Sequence, residues 1–529
     1  MAVAGCILRS CSLTDVSRPE RWLLDRAAGA ADCEALADEF RGRIAAGNDP
    51  LGDAFLALRS PAVRRSSGAV YSPGPIVESM VAWLKREPAV ARVVDPGAGS
   101  GRFALAAGRA LAGARLVCVE TDPLARLVLR ANLTAAGLAD RSTVVAGDYR
   151  LVRLDEQVGP SGPTAFIGNP PYVRHHLIDG RWKQWLAAEA GRLGLPVSGL
   201  AGLHVHFFLQ TALLASSGDL GTFVTSAEWL DVNYGKLVRA LLVRHLGVES
   251  LHLVDPSVLP FGDVATTAVI TCFRVGRARR TVGFRKVATI GELGALERGL
   301  GVRRDRLQSA SRWTPLLAPP KRPPAGYVEL GELCRVHRGT VTGANATWIT
   351  GRDDASLPAT VLFPAVTRAR ELFDAGDRLK SLDGLRCVID LPENLDDLDP
   401  SERRVVERFL RAARAGNVHE GYIARHRKCW WSVGLRPPAP IIATYMARRP
   451  PAFVRNPVGA HHINVAHGLY PRQPMSSTVL DRLATTLSAS ATTTGGRIYA
   501  GGLTKFEPGE MARLAVPSVE LLAANEVAA

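Results

Sequence analysis

Nowhere in its 529 residues does the chain carry an uncharged apolar run approaching the ~18 residues a helix needs to cross a bilayer. The stretch around Cys6 and Cys11 also lacks the charged, apolar and small-residue regions of a signal peptide. A membrane partner is therefore not expected, and a cytoplasmic location is. The eight cysteines include no CxxC pair, which argues against a disulfide framework and a zinc site and predicts reduced thiols. Acidic side chains are missing from Gly421 to Leu480, a window that holds Arg425, Arg427, Lys428, Arg436, Arg448, Arg449, Arg455 and Arg472. Among them stand Tyr422, Trp430, Trp431, Tyr445, Phe453 and Tyr470. Cations mixed with flat rings suit phosphates and bases, and the same composition also fits a solvated basic face over core aromatics.

What is present points to a large folded protein. A single core stops growing near about 250–300 residues, so this length predicts at least two domains, and 47% hydrophobic residues supply ample material for them. Lys and Arg number 65 against 50 Asp and Glu, a net charge of +15 that favours a polyanionic partner. Residues 1–65 read as a helical N-terminal segment, with apolar residues at helical spacing in RWLLDRAAGAADCEALADEFRGRIA. Between 66 and 280, short β-branched runs (ARVVD, RLVCVE, STVVAGD, TAFIGN, LGTFVTS, VESLHLVD, TTAVITCF) alternate with amphipathic segments, the pattern of an α/β sheet. The connection DPSVLPFGDVA is too short for a crossover helix, so the last two runs are expected to form an antiparallel hairpin at one end of the sheet. A basic and Pro-rich linker is expected over 281–325, and a second domain over 326–529.

Three successive strand ends carry chemistry. After ARVVD comes Asp95-Pro96-Gly97-Ala98-Gly99-Ser100-Gly101, whose alternate glycines let the backbone turn sharply and approach a ligand at the carboxyl end of the strand. Arg102 stands where GxGxxG would need its third glycine, which disfavours a nicotinamide dinucleotide. The next strand ends in Glu120, placed to accept both hydroxyls of a ribose, and the third in Gly147-Asp148, placed to accept from an adenine amino group. Each acid alone also reads as a solvated strand end. Together they outline a nucleoside pocket and imply an adenosine-containing cofactor.

The fourth run closes on Asn169-Pro170-Pro171-Tyr172. Two prolines make a rigid turn, and rigidity is what methylation of an aromatic amine requires, because the lone pair of adenine N6 is delocalised into the ring. Acceptors aimed at both N–H groups, the Asn169 oxygen and the Pro170 carbonyl, would localise that pair toward an electrophilic methyl group with little reorganisation. No metal or covalent intermediate is needed. Tyr172 would stack on the base, which must leave the duplex to be reached.

The order YSPGPIV, DPGAGSG, Glu120, Gly147-Asp148, NPPY and a basic C-terminal region resembles the γ-class adenine-N6 DNA methyltransferases of restriction–modification systems. The resemblance implies an α/β, Rossmann-like sheet binding S-adenosylmethionine at 66–280 and an α+β target-recognition domain at 326–529. By that likeness Tyr71, Ser72 and Pro73 match the segment binding the methionine part of the cofactor. Asp95, Gly97, Gly99, Gly101, Glu120 and Asp148 match its further cofactor contacts. Asn169, Pro170, Pro171 and Tyr172 match the catalytic tetrapeptide, and Phe261 the second ring sandwiching a flipped adenine. Ser72-Pro73 departs from the usual Thr-Pro and keeps a hydroxyl. Leu330-Gly331-Glu332-Leu333, Thr342-Gly343-Ala344-Asn345 and the run 501–508 look like target-recognition elements. Double-stranded DNA is the implied partner, held in a basic cleft between the domains. Sixty-five residues are too few for a fused nuclease, so any cleavage is expected from a separate restriction endonuclease. Alternatives are methylation of RNA adenine or of a protein glutamine, which uses a similar tetrapeptide, and a DNA-binding specificity protein with a vestigial core.

Overall fold

The computed structural model describes residues 1–9, 16–27, 33–59, 72–87, 90–154, 162–255, 258, 267–317, 323–352, 356–492, 496–499 and 503–524. The chain divides into two compact units, the first spanning 1–319 with 498–502, the second 320–497 with 503–529. Among the described residues no helix is long and apolar enough to cross a membrane.

The first unit is built on a nine-stranded sheet among the described residues: β1 (Arg92–Asp95), β2 (Arg115–Glu120), β3 (Ser142–Ala146), β4 (Thr164–Gly168), β5 (Leu220–Ser226), β6 (Val248–Val254), β7 (Ala268–Arg274), β8 (Thr281–Val287) and β9 (Leu300–Arg303). Their order is β3-β2-β1-β4-β5-β7-β6-β8-β9. β4 and β5 are buried at every position, as expected of central strands covered by helices on both faces. β3, at the edge, is half exposed. Strands β1 to β5 are parallel, and register aligns their carboxyl ends: Asp95 stands beside Cys118, two residues before Glu120, and Glu120 beside Ala146, two before Asp148. Val94 pairs with Phe166, so Gly168-Asn169 leaves the sheet just past the level of Asp95.

Two expectations are corrected by the sheet. The antiparallel pair β6–β7 forms, but β7 lies between β5 and β6 and the pair is not the end of the sheet. Residues 281–303, expected in a linker, supply β8 and β9, and Trp313 is buried against Trp229 (5.9 Å between ring centres) and Phe284 (6.1 Å). The Arg-rich stretch masked a strand in which Val282, Phe284 and Val287 are buried while Lys286 is exposed and Arg285 donates to the Glu292 carbonyl.

Helices α1 (Ala2–Leu8), α2 (Arg18–Ala27), α3 (Glu34–Ala45) and α4 (Pro50–Ala57) precede the sheet. They are followed by α5 (Gly74–Leu84), α6 (Arg102–Ala110), α7 (Pro123–Ala135), α8 (Gly180–Arg192) and α9 (Leu203–Leu214). The first four pack on α7, where Cys6, Ile7, Ile44, Leu51 and Phe55 share a core with Leu127, Val128 and Ala131. This packing brings Cys6 and Cys33 into a disulfide, against the expectation of reduced thiols; 27 residues separate them, a distance that motif spacing cannot interpret. Cys118, Cys272, Cys334 and Cys387 are buried thiols, and Cys11 and the predicted site residues Tyr71 and Phe261 lie outside the described residues.

The second unit is α+β. One four-stranded sheet joins 334–338, 466–471, 441–444 and 453–455, a second joins 349–350, 386–389, 362–366 and 461–462, and helices Pro400–Ala415 and Ser477–Ser490 pack beside them.

Candidate active site

The parallel strand ends assemble one cluster of polar side chains. At the end of β1, Gly99 (φ +56°) and Gly101 (φ +95°) take left-handed conformations that a side chain would strain, and a Cβ on Gly101 would also fall 2.5 Å from Leu129 Cδ1. Glu120 closes this loop from the next strand: its Oε2 accepts from the Gly99 N–H at 2.9 Å and its Oε1 from the Asp122 N–H at 2.8 Å. Asp95 is 1% exposed, with no side-chain partner on either oxygen among the described residues. Burial pushes its carboxyl up to about 8 and the charge of Glu120 adds to this, while backbone N–H groups of Ala104 and Gly97 pull the other way.

Asp148 stands in a different environment. Its Oδ1 accepts from the Arg150 backbone N–H at 3.0 Å and from Arg150 Nε at 2.9 Å, and its Oδ2 from the second guanidinium nitrogen at 2.5 Å. Burial opposes its charge, but these bonds and the Arg150 cation outweigh it and hold the carboxyl below its ordinary range. The Arg150 guanidinium is in turn stacked on Trp182 of α8, 3.7 Å from the ring centre. Nearby, His206 of α9 lies parallel to Trp185, and burial followed by the Arg150 charge lowers it to about 3, so it stays neutral.

From β4, Gly168 leads into the tetrapeptide at a tight point: a Cβ there would lie 3.1 Å from Asp95 Oδ1 and 3.2 Å from Pro96 Cδ, so those neighbours would have to shift slightly. Asn169 Nδ2 donates to Ser72 Oγ at 3.1 Å, joining the tetrapeptide to the segment before α5, where Pro73 caps the helix. Ser72 is 3% exposed. Pro170 is buried, whereas Pro171 and Tyr172 are half-buried, and burial raises the Tyr172 phenol above its ordinary range. A Cβ on Gly97 would sit 3.7 Å from Pro171 Cδ and 3.6 Å from the Phe207 ring, so the glycine loop and the tetrapeptide are neighbours.

Asp95, Gly97, Gly99, Gly101, Glu120, Asp148 and Asn169 to Tyr172 thus all stand at the carboxyl ends of β1 to β4, and the bond from Asn169 ties Ser72, with Pro73 beside it, to them. Arg150, which holds Asp148, and Trp182, on which Arg150 is stacked, were not anticipated; the trace in the sequence is an arginine two residues past the acid. Asp49, which bonds the glycine loop from α4, was missed altogether.

The basic window of the second unit is divided. Arg455 is 6% exposed and bonds Asp481 at 2.7 Å and the Pro440 carbonyl at 2.6 Å. Arg427 donates to the carbonyls of Val341 and Thr342, and Arg472 to that of Gly331. Phe453 is core, Trp431 donates to the Pro392 carbonyl, and Tyr445 stacks on His467. Arg425, Arg436, Arg448 and Arg449 are exposed, as is Tyr422.

A mostly parallel sheet with one antiparallel strand inserted beside β5, a GxGxG loop after β1 and an acid closing β2 defines an S-adenosylmethionine-dependent methyltransferase. Over 474 residues, 90% of this chain and 88% of the relative, it is 53% identical to the type II methyltransferase M.XamI of Xanthomonas campestris pv. amaranthicola. It is 20% identical over 468 residues, 85% of each chain, to the type II methyltransferase M.AccI of Acinetobacter calcoaceticus. Residues 324–529 match the family model of the C-terminal domain of the type II methyltransferase M.Eco57I. In fold, the chain resembles the restriction–modification enzyme MmeI, solved in complex with DNA (TM-score 0.59, 12% identity, 86% of this chain and 69% of that one). The chain belongs to the type II methyltransferases: its activity is DNA methylation within a restriction–modification system, and S-adenosylmethionine is its cofactor.

Proposed function

We propose that the enzyme methylates N6 of an adenine extruded from double-stranded DNA. The observation that carries this reading is the hydrogen bond from Asn169 Nδ2 to Ser72 Oγ, which uses one N–H of the amide and fixes which way the amide faces. The Asn169 oxygen is then the end that can accept from an amine, beside the rigid Pro170 carbonyl. Those two acceptors take the two N–H groups of the adenine, turning its lone pair out of conjugation and toward the methyl group. S-adenosylmethionine supplies that methyl group on a sulfonium. The methyl would leave the sulfonium with the bonding pair staying on sulfur as a neutral thioether, and the positive charge passed to the amine would be stabilised by the same two acceptors until a proton is lost to solvent water.

In this reading Glu120 binds the ribose hydroxyls, Asp148 the adenine amino group of the cofactor, and Asp95 and the backbone of Gly97, Gly99 and Gly101 its methionine side. Its cationic groups suit the buried, anion-capable Asp95. Tyr71, Ser72 and Pro73 complete that side, and Ser72 therefore couples the cofactor segment to Asn169. Tyr172 and Phe261 sandwich the base. The exposed arginines of the second unit contact DNA phosphates while its side chains read base edges. A large basic second unit has no use in methylating a protein glutamine. Cleavage falls to a separate endonuclease, this chain being the modification arm.

Expression in a methylation-free host, followed by mapping of modified bases, should show N6-methyladenine at one short sequence. Well-expressed protein that leaves DNA adenines unmodified would overturn the adenine assignment, and modified RNA in the same cells would replace it.

A further inference from the structure

We infer that the N-terminal helices act as a brace for cofactor binding, with Asp49 as the positioning residue that holds the glycine loop in its ligand-ready shape. Asp49 caps α4, a role that needs one bond, from the Gly52 N–H at 2.8 Å. Its carboxylate makes three more. Oδ1 also accepts from Asn132 Nδ2 at 2.8 Å, and Oδ2 accepts from Ser100 Oγ at 2.5 Å and Arg102 Nε at 2.9 Å. Four donors fill the roughly four lone-pair sites of one carboxylate. The side chain is 8% exposed, Ser100 2% and Asn132 fully buried, so these bonds are sheltered from water.

The target of this convergence is Ser100, the residue between the two left-handed glycines. Its hydroxyl is held by Asp49, and its carbonyl accepts from Asn132 Nδ2 at 2.8 Å. A loop with two such glycines has many alternative backbone states, and freezing it beforehand lowers the entropy lost when a ligand binds. On its inner side the loop is held by Glu120 through Gly99; on its outer side it is held by Asp49 through Ser100.

A second arm of the same helices reaches the Glu120 turn. Buried Glu20 of α2 pairs with Arg126 at 3.2 Å and Arg130 at 3.0 Å, and Arg126 donates to the carbonyls of Glu120 (3.0 Å) and Thr121 (2.8 Å). Arg59, just past α4, pairs with Asp122, the cap of α7. Both loops assigned to the cofactor are therefore gripped from outside by residues that precede the sheet in sequence.

The inference rests on the reading of the glycine loop and Glu120 as cofactor contacts, and the experiment separates the two. S-adenosylmethionine affinity of the full chain is measured by calorimetry for wild type, Glu120→Ala, Asp49→Ala, Ser100→Ala and the Asp49→Ala/Ser100→Ala double variant, at a temperature where circular dichroism shows each folded. Asp49→Ala should weaken affinity about tenfold and Ser100→Ala several-fold. The double variant should be no more than about twofold weaker than Asp49→Ala, because both changes cut one link. Steady-state kinetics of Asp49→Ala should show a raised KM for S-adenosylmethionine with kcat near wild type at saturation. A purely structural cap would lower the melting temperature and leave the affinity of the folded protein unchanged. Wild-type affinity in Asp49→Ala and Ser100→Ala, with Glu120→Ala weakened, overturns the brace. Wild-type affinity in Glu120→Ala overturns the pocket instead. If Asp49→Ala fails to fold, Ser100→Ala decides alone, since it leaves the α4 cap in place.

Discussion

At the ends of β1 to β4, residues singled out one motif at a time stand side by side, because parallel register leaves adjacent strand ends nowhere else to go. In the basic window of the second unit, residues alike in the sequence part company: Arg455 and Arg427 are building material, while Arg425 and Arg436 face solvent. A motif tied to a strand end keeps its meaning on folding because the sheet supplies its neighbours. A compositional window has no such frame, and burial decides each of its members separately.

The largest expected effect tests the strand-end side of this contrast. Asn169→Ala should lower turnover on the order of 10³-fold, the scale of losing a group aimed at developing charge, while S-adenosylmethionine affinity stays within about twofold. Single-turnover kinetics with calorimetry measure both. Near-normal turnover would mean that the tetrapeptide is only a rigid turn.

Next, the division among arginines should appear in stability. Arg455→Ala removes a buried cation that holds Asp481 and the Pro440 carbonyl and should cost about 3 kcal/mol, whereas Arg436→Ala should stay within about 0.5 kcal/mol. Urea unfolding of the two variants sets them apart. Equal losses would erase the distinction drawn from burial.

A smaller effect concerns protons at Asp95. Because its folded carboxyl is raised from 3.8 to about 8, the folded chain keeps a proton between those pH values that the unfolded chain has lost. Asp95 therefore costs progressively more stability as pH rises across that window, and Asp95→Asn should flatten the pH dependence of the melting temperature. A cation brought beside the carboxylate lowers its pKa, so cofactor binding near pH 7 should release up to about one proton in wild type and none in Asp95→Asn. Titration in two buffers of different ionisation enthalpy reads the release directly, and identical proton counts in both proteins would remove Asp95 from the cofactor site.

The smallest effect lies in the exposed half of the basic window. Replacing Arg425 and Arg436 by alanine should make log affinity for DNA shallower against log salt by about 0.9 for each phosphate left without its arginine. An unchanged slope would place the DNA path elsewhere on the unit.

The chain's order of residues determined the α/β class, the four strand ends and the polar residues they carry, because each signal is local: a β-branched run, a glycine turn, an acid closing a strand or two positions past it. It also showed the antiparallel β6–β7 pair, through the shortness of the connection. It did not show that β7 enters the sheet between β5 and β6, nor that the Arg-rich stretch after 280 hides β8 and β9, because strand order and the buried face of a charged segment depend on partners far away in sequence. The same holds for Arg150, which stacks on Trp182 and pairs with Asp148, and for Cys6 and Cys33. Asp49 is the sharpest case. As Asp-Pro before a helical run it is legible as a cap, but only tertiary packing places it 2.5 Å from a serine 51 residues on, since hydrogen bonds act over a few ångströms of space and carry no mark in the order of the chain.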